Sequence, residues 1–482
     1  MIFFKKFLLL ILIILLNNST AIELSTQEDE DISLKNDPLF QVDTKDGLNL
    51  HEAIELSIQN NPKFLRSRQS IFQAKRKIDE AFSGHLPTVD VSGNAGYESR
   101  TYTPENALKG PNNTDRFRYK KTELYLNIKE NIWAGGSIEN GVDEQKQRLS
   151  AIMYEHQNNI EKLSIEMIQT YFDIVYGKIS LKINEKNMQD FKKVLKIMKI
   201  KEENGAATKG DLNFILANVD NAKTELIRAQ SELENAISFY AYLIGEQESK
   251  NLPFESEVAL DFVDLNTSLN EARLNNAVIQ RQKAYAEATK YSFEAQKGSY
   301  QPTIDLLVNG ETRREYNTIT ESDIDPGSRR DKGSILLSFK YNLYRGGKDE
   351  AKSLRLYAKM NEFNYTLADE TRKVIFRTKV LYQSVDSLEK SLALTESEVI
   401  SARKVVSSYW ISFKEGTQDL QALQLALRSL NRAELDYTRF KKNLYIDNFK
   451  LLQNRGKLLP FLDLAYSFNP DSYKQESVNF WW

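Results

Sequence analysis

The 482-residue chain contains no cysteine. That absence removes disulfides, thiol catalysis and thiolate metal sites together, and with them any lipid-modified cysteine, so a bacterial lipoprotein is not expected. Histidine is nearly missing too: the three are His51, His85 and His156. No two of them stand at metal-ligand spacing, and His156 falls on a helical seam where a packing role is expected. A net charge of −2 leaves no basic excess for a nucleic-acid partner. Glycine-rich phosphate loops are absent as well; Gly205 to Gly210 lacks the fingerprint. The carboxylates are spread among lysines, as solvated helix faces require. Nothing here offers a catalytic or metal site, so neither an enzyme nor a cofactor is expected.

Long apolar runs are confined to the first residues. Lys5 and Lys6 precede an apolar run from Phe7 to Leu16, and Ser19-Thr20-Ala21 supplies small residues. This is the pattern of a cleaved secretory signal over residues 1–21; the run is too short for a bilayer, which needs about 20 residues. A chain without a spanning helix can cross a membrane only with strands.

What is present is periodic. Leu367, Val374, Leu381 and Leu388 recur every seven residues, and Val385, Leu392, Val399, Val406 and Phe413 form a second series offset by four. Such interleaved series put one apolar seam on a long helix and call for a supercoiled partner. No proline interrupts Gly347 to Glu415, so a rod of about 100 Å is expected. Ile174, Leu181, Met188 and Leu195 repeat the seam 211 positions earlier. The rod is duplicated.

The rest of the chain is duplicated with it. Residues 22–46 are polar, with Glu28-Asp29-Glu30-Asp31, and read as a mobile N-terminal segment. A first repeat is expected over 47–247. It opens with a helix from about Leu48, broken at Asn60-Asn61-Pro62, followed by a second helix to about Ser83. The period then becomes two. Val89, Val91, Gly93, Ala95 and Tyr97 alternate with polar residues, as do Leu124, Leu126, Ile128 and Ile132 after a polar loop over 101–118. Apolar-out, polar-in alternation suits a water-filled membrane barrel, although a half-buried soluble sheet alternates equally; Tyr97 and Trp133 fit an interfacial belt. Gly135-Gly136 starts the first rod, which turns at Asn204-Gly205 and returns from Asp211 to Ile244. A linker over 248–267 leads to a second repeat over 268–457. Its expected parts are a helix from Leu269 to Gly298, a strand through Ile304, Leu306 and Val308, and a returning strand through Ile335, Leu337, Phe339, Tyr341 and Leu343. Gly346-Gly347 then starts the second rod, with its turn at Gly416. A tail over 458–482 ends in Phe480-Trp481-Trp482, for which the sequence offers no account.

Ala53-Ile54 with Asn60-Asn61-Pro62, Leu86-Pro87 before the first strand, Gly135-Gly136, Gly346-Gly347, and the turn glycines Gly205 and Gly416 occur in one order, taken twice. In these the chain resembles the TolC-like outer-membrane efflux protein family, the outer-membrane factors of tripartite efflux and type I secretion systems, over nearly all of the mature length. The resemblance implies a mixed α and β membrane protein of mostly long helices, forming a periplasmic α-barrel of coiled coils. It adds four transmembrane strands per chain, closed into a twelve-stranded barrel in a homotrimer. It also implies an outer-membrane location extending into the periplasm, contact with outer-membrane lipid, and a passive exit duct. Its implied partners are a periplasmic adaptor (membrane fusion) protein and an inner-membrane transporter of ABC, RND or MFS type. Whether the cargo is a drug, a metal or a secreted protein stays open. The alternative from a different class is a periplasmic coiled-coil structural protein with a small soluble sheet.

The family's acidic ring at the periplasmic mouth would fall on Ala422 and Leu425, which carry no charge. Asp419, with Glu415 and Gln418, is the candidate replacement; a helix N-cap explains Asp419 as well. Gly205, Ala206, Ala207, Gly416 and Thr417 match the places where the resemblance puts adaptor docking. A helix-ending glycine with positive φ explains both glycines without a partner.

Overall fold

The computed structural model describes Leu34 and residues 37–41, 48–102, 115–245, 263–317, 328–417 and 419–464. The expected signal, most of the 248–267 linker, Gln418 and the Phe480-Trp481-Trp482 tail lie outside these. The element order is α1 (Leu50–Asn60), α2 (Pro62–Phe82), β1 (Thr88–Tyr102), β2 (Asp115–Trp133), α3 (Ser137–Glu203) and α4 (Lys209–Ile244), and then α5 (Leu265–Asn275), α6 (Ala277–Lys297), β3 (Thr303–Asn317), β4 (Ser328–Lys340), α7 (Lys348–Glu415), α8 (Leu420–Asn454) and the single turn α9 (Leu458–Phe461). The rods α3 and α7 have 67 and 68 residues, about 100 Å each at helical rise. Among the described residues no helix is long and apolar enough to cross a membrane.

The contacts divide the chain into two compact units. The first takes the described residues of Met1–Asp43, Tyr176–Ser231 and Ser391–Phe440, and the second those of Thr44–Val175, Glu232–Lys390 and Lys441–Trp482.

In the second unit the strands form one antiparallel sheet in the order β1-β2-β3-β4. The register places Val91 opposite Leu126, Leu126 opposite Gly310, and Val308 opposite Ile335. Side chains alternate across a strand, so these residues share one face with Val89, Leu124, Leu337 and Phe339. The other face carries Asn94, Glu123 and Arg313 in one row. Both strands of the first hairpin run further than the alternation indicated, to Tyr102 and from Asp115. The expected loop over 101–118 therefore shrinks; pairing, not hydropathy, decides where a strand ends. The last strand does the opposite. It stops at Lys340, paired with Thr303, and Tyr341 and Leu343 lie beyond it. The residue before Thr303 is Pro302, which has no N–H to offer a ladder.

The expected single helix from Leu269 to Gly298 is two helices. Asn276 is extended (φ −62°, ψ 123°) and its side chain accepts from the amides of Val278 and Ile279. In the first repeat Asn61 does the same for Lys63, and there Pro62 announces the break. At the corresponding place the second repeat has Ala277, which gives no such warning. The helix ahead of each break meets the end of a returning helix: Asn60 Nδ2 donates to Ile244 O at 3.1 Å and Asn276 Nδ2 to Asn454 O at 2.9 Å. Gly456 is in close contact there, since a Cβ on it would lie 2.4 Å from Asn275 O. α5 begins inside the expected linker, capped by Asp264. α9, with Leu458 and Leu459 buried, begins the expected tail.

In the first unit, the ends of α3 and α7 pack with the starts of α4 and α8 around Phe191, Val194, Met198, Ile215, Phe413, Leu423 and Leu427. The second seam series holds its place: Val399, Val406 and Phe413 are buried. The described part of the N-terminal segment departs from the expected mobility. Leu34 and Phe40 are buried, because their apolar side chains find a site among these helices.

Candidate functional site: the rod tips and the two faces of the sheet

The two tips are built alike. At the first, Gly205 N–H donates to Glu202 O (2.9 Å) and Ala206 N–H to Lys201 O (2.7 Å). At the second, Gly416 N–H donates to Phe413 O (3.3 Å) and Thr417 N–H to Ser412 O (2.9 Å). Both are Schellman ends, which require a left-handed residue; the glycines have φ of +72° and +78°. An added Cβ would meet nothing within 4 Å at either, so conformation alone calls for glycine. Ala206 and Thr417 are exposed beside them, whereas Ala207 is half-buried and packs on the core of the first unit.

The helices leaving the tips are capped differently. Thr208 and Asp211 form a reciprocal capping box: Thr208 N–H donates to Asp211 Oδ2 (3.0 Å) and Asp211 N–H to Thr208 Oγ1 (3.1 Å). The hydrogen bond from the Thr208 hydroxyl holds the Asp211 carboxyl below its usual range. At the second tip Asp419 occupies the place of Thr208 and accepts from Ala422 N–H at 2.7 Å. Asp419 is thus an exposed N-cap, and Glu415 is exposed next to the turn. One contact between the tips escaped sequence reasoning. Lys201 Nζ donates to Phe413 O at 3.2 Å and sits 4.3 Å from the centre of its ring. By pattern Lys201 is one more solvated lysine.

Deeper in the first unit, Glu434 is 2 % exposed and receives Lys186 at 3.1 Å and Arg403 at 2.9 Å. Asn218 donates to Gln424 at 2.9 Å.

In the second unit, the junction glycines Gly135, Gly136, Gly346 and Gly347 all have positive φ. Gly135 is also crowded, with a Cβ there falling 2.4 Å from Gln301 Cβ; Gly346 and Gly347 face open space. His156 is buried against Ser67 (Nδ1 to Oγ, 2.7 Å) and Phe64, the packing role its seam position indicated. Burial, with a contribution from the Arg68 charge, pushes it down to about 4. Glu161 is buried one turn further on, where desolvation raises it to about 7 against a hydrogen bond from Gln157.

The sheet has one face for each kind of neighbour. Val91, Ile335 and Leu337 are 67, 74 and 71 % exposed, a contiguous apolar stripe of the kind that marks a membrane or protein contact. On the opposite face Lys121 bonds Glu123 (2.8 Å) and Glu98 (3.3 Å), and Arg313 bonds Glu123 (3.5 Å) and Glu315. Lys129 reaches Asp305 at 3.1 Å. Apolar and charged side chains alternate residue by residue, the pattern of strands with lipid on one side and water on the other. Among the described residues, no three His, Asp or Glu side chains cluster as a metal site.

Comparison with known proteins agrees with this construction. The chain is 19 % identical to the proteases secretion protein PrtF of Dickeya chrysanthemi over 378 residues, covering 75 % of this chain and 79 % of that protein. It is 18 % identical to outer membrane protein TolC of Escherichia coli (strain K12) over 422 residues, covering 85 % and 82 %. The fold matches the Campylobacter jejuni CmeC outer membrane channel with a TM-score of 0.72 at 14 % identity, over 87 % of this chain and 89 % of that one. The outer membrane efflux protein model matches residues 53–240 and again 268–457. Those two matches fall on the two repeats, each with its strand hairpin and its rod, and the chain therefore belongs to the outer membrane efflux protein family, as a channel of the outer membrane extending into the periplasm.

Proposed function

We propose that three copies of the chain close their sheets into one twelve-stranded barrel, three times the four strands of each, and their rods into one periplasmic tube. The trimer is the passive exit duct of an efflux or type I secretion machine. An inner-membrane transporter of ABC, RND or MFS type supplies energy and chooses the cargo. A periplasmic adaptor docks at the tips, around Gly205, Ala206, Gly416 and Thr417.

The observation that carries this reading is the pair of open edges. β1 and β4 each have one neighbour, beside an exposed apolar face. Unpaired backbone groups in lipid cost several kcal/mol each, and closure with other copies removes them. The duplication supplies a register for that closure. β2 corresponds to β4 at offset 211, and β3 to β1 at offset 215, so the β2–β3 ladder is the template for β4 against β1 of the next copy. Asn127 opposite Asn309 then becomes Ser338 opposite Asn94 of the partner subunit.

At the mouth, Asp419 and Glu415, with Gln418, bring three sets of carboxylates toward one axis. There they attract cations; Asp419 does this while its Oδ1 caps α8. The test is extraction of the protein from outer membranes in detergent, followed by native mass and conductance in a planar bilayer. A trimer forming low-conductance, cation-selective pores is expected. A monomer soluble without detergent, with no pores, would return the chain to the coiled-coil alternative.

A further inference from the structure

The described part of the N-terminal segment touches three different helices of the first unit. Lys182 Nζ, on α3, donates to Gln41 O at 2.7 Å. On α7, Glu396 accepts from Leu34 N–H at 3.0 Å, and Arg403 pairs with Asp37 while lying over the Phe40 ring. On α8, Tyr437 packs edge-on against Phe40 with centroids 5.0 Å apart. Arg403 also holds the buried Glu434 of α8, and Lys186 of α3 donates to the same Oε1. One ion-pair chain, Asp37–Arg403–Glu434–Lys186, therefore joins the segment to a first-repeat helix and two second-repeat helices.

The duplication separates what each rod needs for itself from what was added. Features required by both rods recur at offset 211, as the turn glycines and the seams do. This chain does not recur: the counterparts of Arg403, Glu434 and Lys186 are Lys192, Lys223 and Ser397. A cation stands where the buried carboxylate would be, so no second hub can form. The hub is thus a single-copy device. It sits on the rods that carry the tips, with Arg403 13 residues before Gly416 and Lys186 19 before Gly205, or about 20 and 28 Å along the helices.

We propose that Leu34 and residues 37–41 form a strap that holds the first-repeat rod to the second-repeat rods and so restrains the two tips from moving apart. The strap resists opening of the mouth, a role that rests on the duct reading; its hold on the tips does not. Rods that splay must part α3 from α7 and α8, and the strap bonds all three. Asp37 takes Arg403 Nη1, whereas Glu434 takes Nε and Nη2, so releasing the strap leaves the Arg403–Glu434–Lys186 bonds in place.

The full-length protein tests this in detergent. Ala206→Cys and Thr417→Cys, the only cysteines in the chain, carry spin labels, and labelled copies are diluted into unlabelled ones so that the distance read is within one chain. With Asp37→Ala/Phe40→Ala the tip-to-tip distance distribution shifts to longer values. In bilayers the fraction of time open rises about tenfold. Superimposable distance distributions in a variant of unchanged native mass would overturn the strap. If the double variant does not assemble, Lys182→Met, which removes only the bond to Gln41 O, shifts the distribution the same way by a smaller amount, and no shift there would overturn it equally. Absence of pores in the unsubstituted protein would count against the duct, while the spin-label comparison would still decide the strap.

Discussion

The first and second repeats solve the same problems with different residues, and the differences mark where each repeat can be stressed independently. At the tips the helix ends share the same two Schellman backbone bonds, but the first is restarted by Thr208 with Asp211 and the second by Asp419 alone. At the helix joints, the first repeat divides the work between Asn60, which bonds Ile244 O, and Asn61, which caps α2. In the second repeat Asn276 does both, bonding Asn454 O and capping α6. Shared geometry identifies what the fold demands, and single-copy chemistry identifies what was added to it.

The joint glycines should break the symmetry most. Gly456→Ala places a methyl within 2.4 Å of Asn275 O on a left-handed residue, and should cost about 3 kcal/mol or more. Gly245→Ala meets Asn60 Cβ only at 3.4 Å, so it bears mainly the left-handed backbone penalty and should cost about 1–2 kcal/mol. Thermal unfolding of the two variants in one detergent compares them directly; equal losses would show that the second joint yields where its geometry says it cannot.

A smaller asymmetry is the pair of buried titrating groups that only the first repeat carries; at offset 211 the second has Leu367 and Arg372. His156 stays neutral down to about pH 4, whereas the unfolded chain takes up its proton near pH 6.5. Its contribution to stability is therefore complete above pH 6.5 and is lost as pH falls toward 4, by at most about 3 kcal/mol. Glu161 works in the opposite sense. Its folded value is raised to about 7, so its contribution is present below the unfolded value and is lost as pH rises through 7. The two slopes offset each other between roughly pH 4.5 and 6.5. Stability of the intact protein should be nearly flat there; His156→Gln should make it fall with rising pH, and Glu161→Gln should make it rise. Parallel profiles for all three would contradict the assignment.

The joint asparagines come next. Asn276→Ala loses a buried bond and a cap, about 2 kcal/mol, against about 1 kcal/mol for the cap alone in Asn61→Ala. The same unfolding measurement should rank them in that order. Least in stability, but sharpest for the mouth, is Asp419→Asn, since asparagine caps a helix as well as aspartate. Unfolding should change by no more than a few tenths of a kcal/mol, while cation block of the pore weakens. Unchanged block would leave Asp419 as a cap and nothing else.

Much of this was readable from residue spacing because the chain states its plan twice. Offsets located both rods to within a residue or two, both turn glycines and all four strands. What spacing missed has physical causes. Strand ends depend on a partner's backbone, so β4 stops where Pro302 withholds a donor. The break at Asn276 carries no proline. The strap is a short segment whose burial depends on Tyr437 and on Arg403, the latter 366 residues from Asp37 in sequence, and no local pattern encodes that. Lys201 and Glu434 resemble every other charge on a rod until the rods are brought together.

The central claim is that β4 of one copy pairs with β1 of the next in the register the repeat dictates. The chain has no cysteine of its own, so a single introduced pair reports on that contact alone. Asn94→Cys with Ser338→Cys, oxidised in outer membranes, should give covalently linked trimers on a denaturing gel. Asn94→Cys with Ser334→Cys, four residues out of register, should not. Linked trimers from the first pair only are the predicted result; a chain that remains monomeric with both pairs would contradict the closure of the barrel.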